Sequence, residues 1–191
     1  MMRLDTIRAA ARRRAVGVLV LLCALLLAAP VLRAEQNMQV TPLARDGRVL
    51  VTFRLSDAFN EDIRTAIHSG LTITFVYDVE LRRGAAGWLD RTIQSSTVSA
   101  GVRFDNLARR YHVTLNADGR TEDSRTLERE SLAREWLTRF DRLDLFSNAR
   151  LEPNAEYYVR VRARTTPRNA SFVWPWQGTD VSGLAKFTFL R

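Results

Sequence analysis

Between Leu71 and Arg82 apolar and polar side chains alternate with a period of two, and this pattern constrains the fold more than any other feature of the chain. Every odd position is apolar and the even positions are mostly polar. Successive side chains of an extended chain point to opposite faces, so the segment is predicted to be a strand with one buried face and one wet face. The same alternation recurs in residues 49–55, 111–116, 157–164 and 186–189. The chain is therefore predicted to be mainly β.

Turn-forming residues separate these segments. Asp46-Gly47 precedes the first of them and is typical of a tight hairpin. The stretch 84–87, Gly-Ala-Ala-Gly, follows the long strand, and Asp105-Asn106 and Asp118-Gly119 follow in turn. Residues 71–116 are therefore predicted to form a meander of three antiparallel strands.

Two helices are predicted between strands. The first is capped by Ser56 or Asp57 and runs to about His68, with Gly70 at the position where a left-handed cap is favoured. The second spans roughly Thr126 to Phe140 and has one apolar face.

These elements favour an antiparallel sandwich or partial barrel with two helices closing its ends. The strand-helix-strand unit from Arg48 to Arg83 leaves an α+β fold with a mixed sheet as the alternative.

The first 34 residues have the pattern of a secretory signal. Arginines precede an uncharged apolar run from Ala15 to Ala29, and a short segment then ends in the small residue Ala34. The run is 15 residues long, whereas a membrane-spanning helix needs about 20. Residues 1–34 are therefore predicted to be a cleaved signal peptide, and 35–191 a single exported domain, periplasmic or attached to the envelope. The alternative is an uncleaved segment that anchors the protein in the inner membrane.

The signal also accounts for most of the positive charge. It carries six Arg and one Asp, a net +5, which leaves +3 of the whole chain's +8 for residues 35–191. This small excess argues against a nucleic-acid partner. The only cysteine, Cys23, lies in the signal, so the exported domain has no disulfide and no thiolate ligand. No cofactor-binding or metal-binding motif was found, and none is predicted.

Four segments together are similar to one known family. They are Asp46–Phe59, Gly70–Leu81, Trp88 and Arg109–Val113. In sequence and order they resemble an uncharacterised bacterial exported family, domain of unknown function 4390. The resemblance covers most of the exported domain and implies export and a β-rich fold, without any catalytic signature. It also implies an envelope protein encoded near a membrane sensor kinase. The tail around Trp174–Trp176 departs from the family's pattern.

Candidate catalytic and metal-binding residues are few. His68 and His112 are the only histidines, and no spacing typical of a metal site brings them together. Asp78 and Glu80 share one strand face and supply the paired carboxylates of the main alternative function, a hydrolase acting on envelope polymer. The acidic stretch 116–123 lacks the spacing of a calcium loop and is expected to be a hairpin loop. No catalytic residue is therefore assigned.

Two surfaces are the candidates for binding. Arg160, Arg162 and Arg164 occupy one strand face, with Arg168 beyond them, and form a positive stripe suited to an anionic lipid head, a phosphate or an acidic partner. The structural alternative is that acids on neighbouring strands, such as Asp78 and Glu80, neutralise them.

The second surface is the loop containing Trp174 and Trp176 on either side of a proline. Indole rings favour places that are apolar on one side and wet on the other. The loop is therefore either a contact for a partner or membrane, or a segment folded back onto the sheet.

The sequence favours a non-enzymatic binding or interaction module for an envelope protein or an anionic, amphiphilic ligand, with peripheral membrane contact as one form of that binding. The alternatives are the hydrolase and a structural accessory domain of a membrane signalling system. The oligomeric state is left open.

Cleavage after Ala34 predicts a mature chain that begins at Glu35. Mass spectrometry of protein from the periplasmic fraction is expected to find this end. An intact Met1 end that stays in membranes through a carbonate wash would identify the segment as an anchor instead.

Overall fold

The computed structural model describes residues 38–84, 90–167 and 181–190, without the side chains of 165–167. In these residues nine strands and two helices follow one another along the chain. In order they are β1 (Met38–Arg45), β2 (Arg48–Leu55), α1 (Glu61–His68), β3 (Ile73–Arg83), β4 (Arg91–Asp105), β5 (Arg110–Ala117), β6 (Arg120–Leu127), α2 (Glu130–Thr138), β7 (Arg139–Ser147), β8 (Glu156–Pro167) and β9 (Val181–Thr188).

The strands form two sheets in which every neighbouring pair is antiparallel. The smaller sheet has the order β1-β2-β7, and the larger has the order β6-β5-β4-β3-β8-β9. The inner faces of the two sheets contact each other, and the sheets do not close into a barrel. The predicted sandwich with two helices is confirmed. The mixed sheet is wrong, because β2 and β3, which flank the first helix, belong to different sheets.

Two of the predicted turns are tight hairpins. Asp46 and Gly47 have φ angles of 50° and 79°, and Asp118 and Gly119 have 48° and 80°. Positive φ at both central residues matches the right-handed twist of the strands on either side. The first turn joins β1 to β2, and the second joins β5 to β6. The alternation in the sequence did not reveal β1 or β6, and these turns fix the register of both.

The predicted meander is confirmed as β3, β4 and β5. The predicted turn at 84–87 lies mostly outside the described residues, but Arg83 pairs with Arg91 on either side of it. The meander forms the middle of the larger sheet.

The first helix begins later than predicted. Asn60, rather than Ser56 or Asp57, is the N-cap, and its side-chain oxygen accepts a hydrogen bond from the Ile63 amide at 2.9 Å. Gly70 has a φ of 85°, and the amides of Gly70 and Leu71 donate to the carbonyls of Ile67 and Ala66. These two bonds form a Schellman motif, so the predicted glycine cap is confirmed.

The second helix is shorter than predicted. Thr126 and Leu127 belong to β6, and Arg139 and Phe140 belong to β7. The strand pairs satisfy the backbone groups of these residues, and tertiary pairing therefore overrides the helical pattern at both ends. The acidic stretch 116–123, expected to be a loop, contains the hairpin turn and the start of β6.

Three aromatic rings join the two sheets. The Phe53, Tyr77 and Phe140 ring centroids lie 4.6 to 5.0 Å apart, with Tyr77 in the larger sheet and the other two in the smaller. The Tyr77 hydroxyl donates to the Leu137 carbonyl, which holds the end of α2 against the core. Burial raises the pKa of Tyr77, so this hydroxyl stays protonated and remains a donor.

The sheets also approach each other at one pair of edges. A Cβ atom on Gly183 of β9 would lie 2.5 Å from Met38 Cγ and 2.7 Å from the Met38 carbonyl oxygen of β1. Only glycine permits this separation. The Gln94 side chain of β4 also exchanges two hydrogen bonds with the Ser147 backbone of β7. Of the helices, α1 packs on β3 and β4 of the larger sheet, and α2 packs on β4, β5 and β6 of that sheet and on β7 of the smaller one.

In the part of the chain that is described, neither helix has the length and apolar character needed to cross a membrane. The predicted signal, residues 1–34, lies outside the described residues, as do Arg168, Trp174 and Trp176.

Phe75 tests the assigned faces of β3, because it is fully buried while its neighbour Thr74 is only partly buried. Phe75→Ala is expected to lower the free energy of unfolding by about 3–5 kcal/mol through loss of burial and the cavity it leaves. Denaturant melts measure this, with Thr74→Ala as the matched control. Equal losses for the two variants would contradict the register.

Candidate functional site

The outer face of the larger sheet carries the predicted arginine stripe. On β8, Arg160 and Arg162 lie directly opposite Glu80 and Asp78 of β3 in the strand register. On the other side of β8, the same two arginines lie opposite Leu184 and Ser182 of β9. The alternation seen in the sequence places all these side chains on the face opposite the core.

One carboxylate serves two of the arginines on this face. Glu80 Oε2 lies 2.5 Å from Arg160 Nη2 and 3.0 Å from Arg82 Nη1. All three side chains are mostly covered, with 15 to 25% of each side-chain surface exposed. The Nε atoms of both arginines are buried without a partner among the described residues. Two cations therefore share one anion in a partly dehydrated setting.

Asp78 pairs diagonally rather than directly. Its Oδ2 lies 2.5 Å from Arg164 Nη2, and its Oδ1 accepts a hydrogen bond from Thr97 Oγ1 at 3.4 Å. The structural explanation of the stripe thus holds for Arg160 and Arg164, which acids of β3 neutralise.

Arg162 is the member of the stripe left without an acid. It is exposed, and it makes no ion pair with any described side chain, although Asp78 lies opposite it in the register. Arg160 and Arg164 lie two residues away on the same face, about 7 Å along the strand. Both are paired with acids of β3, so Arg162 contributes a positive charge to this face that no ion pair with a described residue balances.

The β9 side of this face adds a second cation and an apolar side chain. Lys186 is exposed and makes no ion pair with the described residues, and Leu184 between the two cations is 48% exposed. We call these three residues, Arg162, Leu184 and Lys186, the docking row.

Tyr158 lies at one end of the arginine stripe, two residues before Arg160. Its hydroxyl donates to Asp90 Oδ2 at 2.5 Å, and the Arg82 guanidinium lies over its ring at 5.9 Å. Burial, together with the hydrogen bond to Asp90, raises the pKa of Tyr158. The hydroxyl is therefore fixed as a donor at neutral pH.

Glu80 is poorly suited to acid catalysis. Burial by itself raises the pKa of Glu80, but Arg160 and then Arg82 stabilise the anion, and the net shift is downward. A general acid needs a raised pKa in order to hold its proton near neutral pH. The arrangement supplies fixed charge rather than a transferable proton.

A separate cluster forms where the two helices meet. His68 Nε2, in the last turn of α1, lies 3.1 Å from Glu130 Oε2 in the first turn of α2 and 3.2 Å from the Tyr111 hydroxyl of β5. Arg64 Nε lies 3.1 Å from Glu130 Oε1. The sequence singled out His68 but missed Glu130 and Tyr111, because 62 residues separate His68 from Glu130.

The groups of this cluster have charges that suit the dipoles of the helix ends where they lie. A cationic or polar group suits the C-terminus of α1, and an anion suits the N-terminus of α2. Because the contact with Glu130 needs a proton on Nε2, it selects that tautomer of His68. Burial alone raises the pKa of Glu130, but hydrogen bonds from His68 and Arg64 outweigh it and lower the pKa.

The two histidines do not meet in one site. His112 Nε2 lies 3.8 Å from Asp105 Oδ2, and its Nδ1 lies 3.3 Å from the Thr126 hydroxyl. Within 38–84, 90–167 and 181–190, no group of three or more His, Cys, Asp or Glu is placed to hold a metal ion. In the acidic stretch, Asp118 accepts bonds from Ser96 Oγ and the Thr97 amide. These bonds tie the hairpin turn to β4.

Of the six residues predicted to form a binding surface, the structure describes three: Arg160, Arg162 and Arg164. Arg168, Trp174 and Trp176 remain predictions.

The lowered pKa of Glu130 predicts a pH-dependent contribution to stability. The folded pKa lies below the unfolded one, so the contribution is complete above about pH 4.5 and is lost as pH falls through the folded pKa. Glu130→Gln is expected to destabilise by at most about 1 kcal/mol at pH 7 and to approach the wild type as the pH falls below 4.5 and through the folded pKa.

Thermal melts across this pH range measure the difference. Glu135→Gln, on the exposed side of the same helix, is the matched control. A Glu130→Gln deficit that persists unchanged at low pH would contradict the assignment.

Comparison with known proteins identifies one family. Residues 35–171 match the family described as Domain of unknown function (DUF4390). No curated protein and no solved structure matches the chain. The match ends before Trp174, in agreement with the departure of that tail from the family's pattern. The matched region contains both sheets except β9, together with both helices, and the chain belongs to the DUF4390 family.

Proposed function

We propose that this protein is a non-enzymatic exported binding module whose outer sheet face docks against an acidic partner protein of the cell envelope. The observation that carries the proposal is Arg162, an exposed arginine without an ion pair among the described residues, between two arginines that acids of β3 neutralise. The signal-like residues 1–34 support export, and the family resemblance supports an envelope location.

The small electrostatic free energy available from two cations favours a protein partner over a lipid surface. The two cations of the docking row, Arg162 and Lys186, would contribute about 2 kcal/mol together near an anionic membrane. That is a factor of roughly 30 in affinity, and salt reduces it further. A protein partner adds complementary packing and hydrogen bonds to the same two charges.

The composition of the face suits protein recognition. Arginine and tyrosine are over-represented among residues that dominate interface energies. Here Arg82 and Arg160 are held by Glu80, and Tyr158 is held by Asp90. Side chains already fixed in one arrangement lose less conformational entropy on binding. The adjoining Leu184 supplies apolar area.

Site-specific photo-crosslinking in the native envelope tests the proposal. A photoreactive residue at position 184 is expected to trap one partner protein, and the adduct is expected to fall at high salt. Arg162→Glu in the same chain is expected to abolish it, because reversing the charge repels an acidic surface.

Two controls make the outcome specific. Arg103→Glu changes another exposed arginine on the outer face of the same sheet and is expected to preserve the adduct. A photoreactive residue at Thr126, on the opposite edge strand, is expected to trap nothing. An adduct that Arg162→Glu leaves intact, or lipid adducts alone, would overturn the proposal.

A further inference from the structure

The docking row has a regular spacing along the strands. Arg162 lies at the level of Ser182, Leu184 at the level of Arg160, and Lys186 at the level of Tyr158. Measured along the strand direction, the three side chains of the row are two residue levels apart, about 6.6 Å per step, but Arg162 lies on β8, about 4.8 Å to the side of β9, and is a diagonal neighbour of Leu184. The order along the row is cation, apolar, cation.

An extended peptide has the same repeat. Its alternate side chains point to one face with a spacing of about 6.6 Å. A segment with an acid, an apolar residue and an acid at positions i, i+2 and i+4 that lies along β9 brings its two carboxylates near Arg162 and Lys186 and its apolar side chain over Leu184. The pattern reads the same in both directions, so either chain direction fits.

The protein contains an internal example of acids on an extended strand that pair with this arginine stripe, although with a shorter spacing between the acids. Asp78 and Glu80 are acids at alternate positions of an extended strand, and they pair with Arg164 and Arg160 of β8. On the other side of β8, the outward residues of β9 are Ser182, Leu184 and Lys186, and none is an acid. One flank of the arginine stripe is thus neutralised and the other is open among the described residues.

We infer that the docking row recognises an extended partner segment of the pattern acid-x-apolar-x-acid. This inference rests on the proposed function and names the partner element that the face accepts. The outer face is formed by strands and their side chains, and an extended segment lies along it without needing a cleft.

A peptide titration tests the recognition directly. The probe is the peptide Thr-Glu-Thr-Leu-Thr-Glu-Thr with blocked ends, added to the purified chain at low salt and followed by NMR. Amide shifts are expected to concentrate at residues 160–162 and 182–186. Arg162→Gln and Lys186→Gln are each expected to weaken binding of the peptide by about threefold to fivefold. Leu184→Ala, made as a separate variant, is also expected to weaken it.

Matched probes separate the spacing from simple charge. A peptide of the same composition with its two glutamates adjacent is expected to bind more weakly, and the glutamine version is expected not to bind. Arg103→Gln is expected to bind like the wild type. Equal binding of the two glutamate peptides, or Arg162→Gln and Lys186→Gln without effect, would overturn the inference.

The two proposals fail in different ways. If the crosslinked partner at position 184 persists while the peptide does not bind, the docking face stands and the acid-x-apolar-x-acid pattern is wrong. If vesicles of phosphatidylglycerol bind through Arg162 and Lys186 while the peptide does not, the partner is a lipid surface and both proposals are wrong.

Discussion

The structure depends on one strand, β3, whose two faces perform different tasks. Its inward face carries Tyr77, which contacts Phe53 and Phe140 of the other sheet and holds α2 through the Leu137 carbonyl. Its outward face carries Asp78 and Glu80, which pair with the arginines of β8. Because the side-chain period of a strand is two, a slip of one residue would bury both acids and expose the aromatic ring. The core and the outer ion pairs therefore specify the same register.

The arrangement of charge on the outer face follows from the order of strands. An arginine strand lies between an acidic strand and a strand without acids, so charge is balanced on one side only. The balanced side stabilises the fold, since Arg82 and Arg160 are mostly covered and need an anion. The other side leaves Arg162 and Lys186 without an acid among the described residues. Under the proposed function, the paired arginines Arg160 and Arg164 have a structural role and Arg162 has the binding role.

The helices have a different role. Each connects one sheet to the other, and the cluster of Arg64, His68, Tyr111 and Glu130 ties their ends together. Both helices are short, and short helices depend on tertiary packing for stability. We therefore interpret the cluster as a structural contact between the two connecting helices. It nevertheless contains the histidine and carboxylate that a catalytic interpretation would choose first.

The sequence by itself determined the strands with strong alternation, the glycine turns, the cap at Gly70 and the position of the arginine stripe, because each depends on local geometry. Only the tertiary structure decided that β6 ends at Leu127 where a helix was expected, since pairing with β5 outweighs helical preference. It also decided which arginine lacks an acid, because Asp78 reaches Arg164 rather than Arg162, which lies opposite it. That choice depends on contacts between strands 86 residues apart, and no local pattern in the chain contains it.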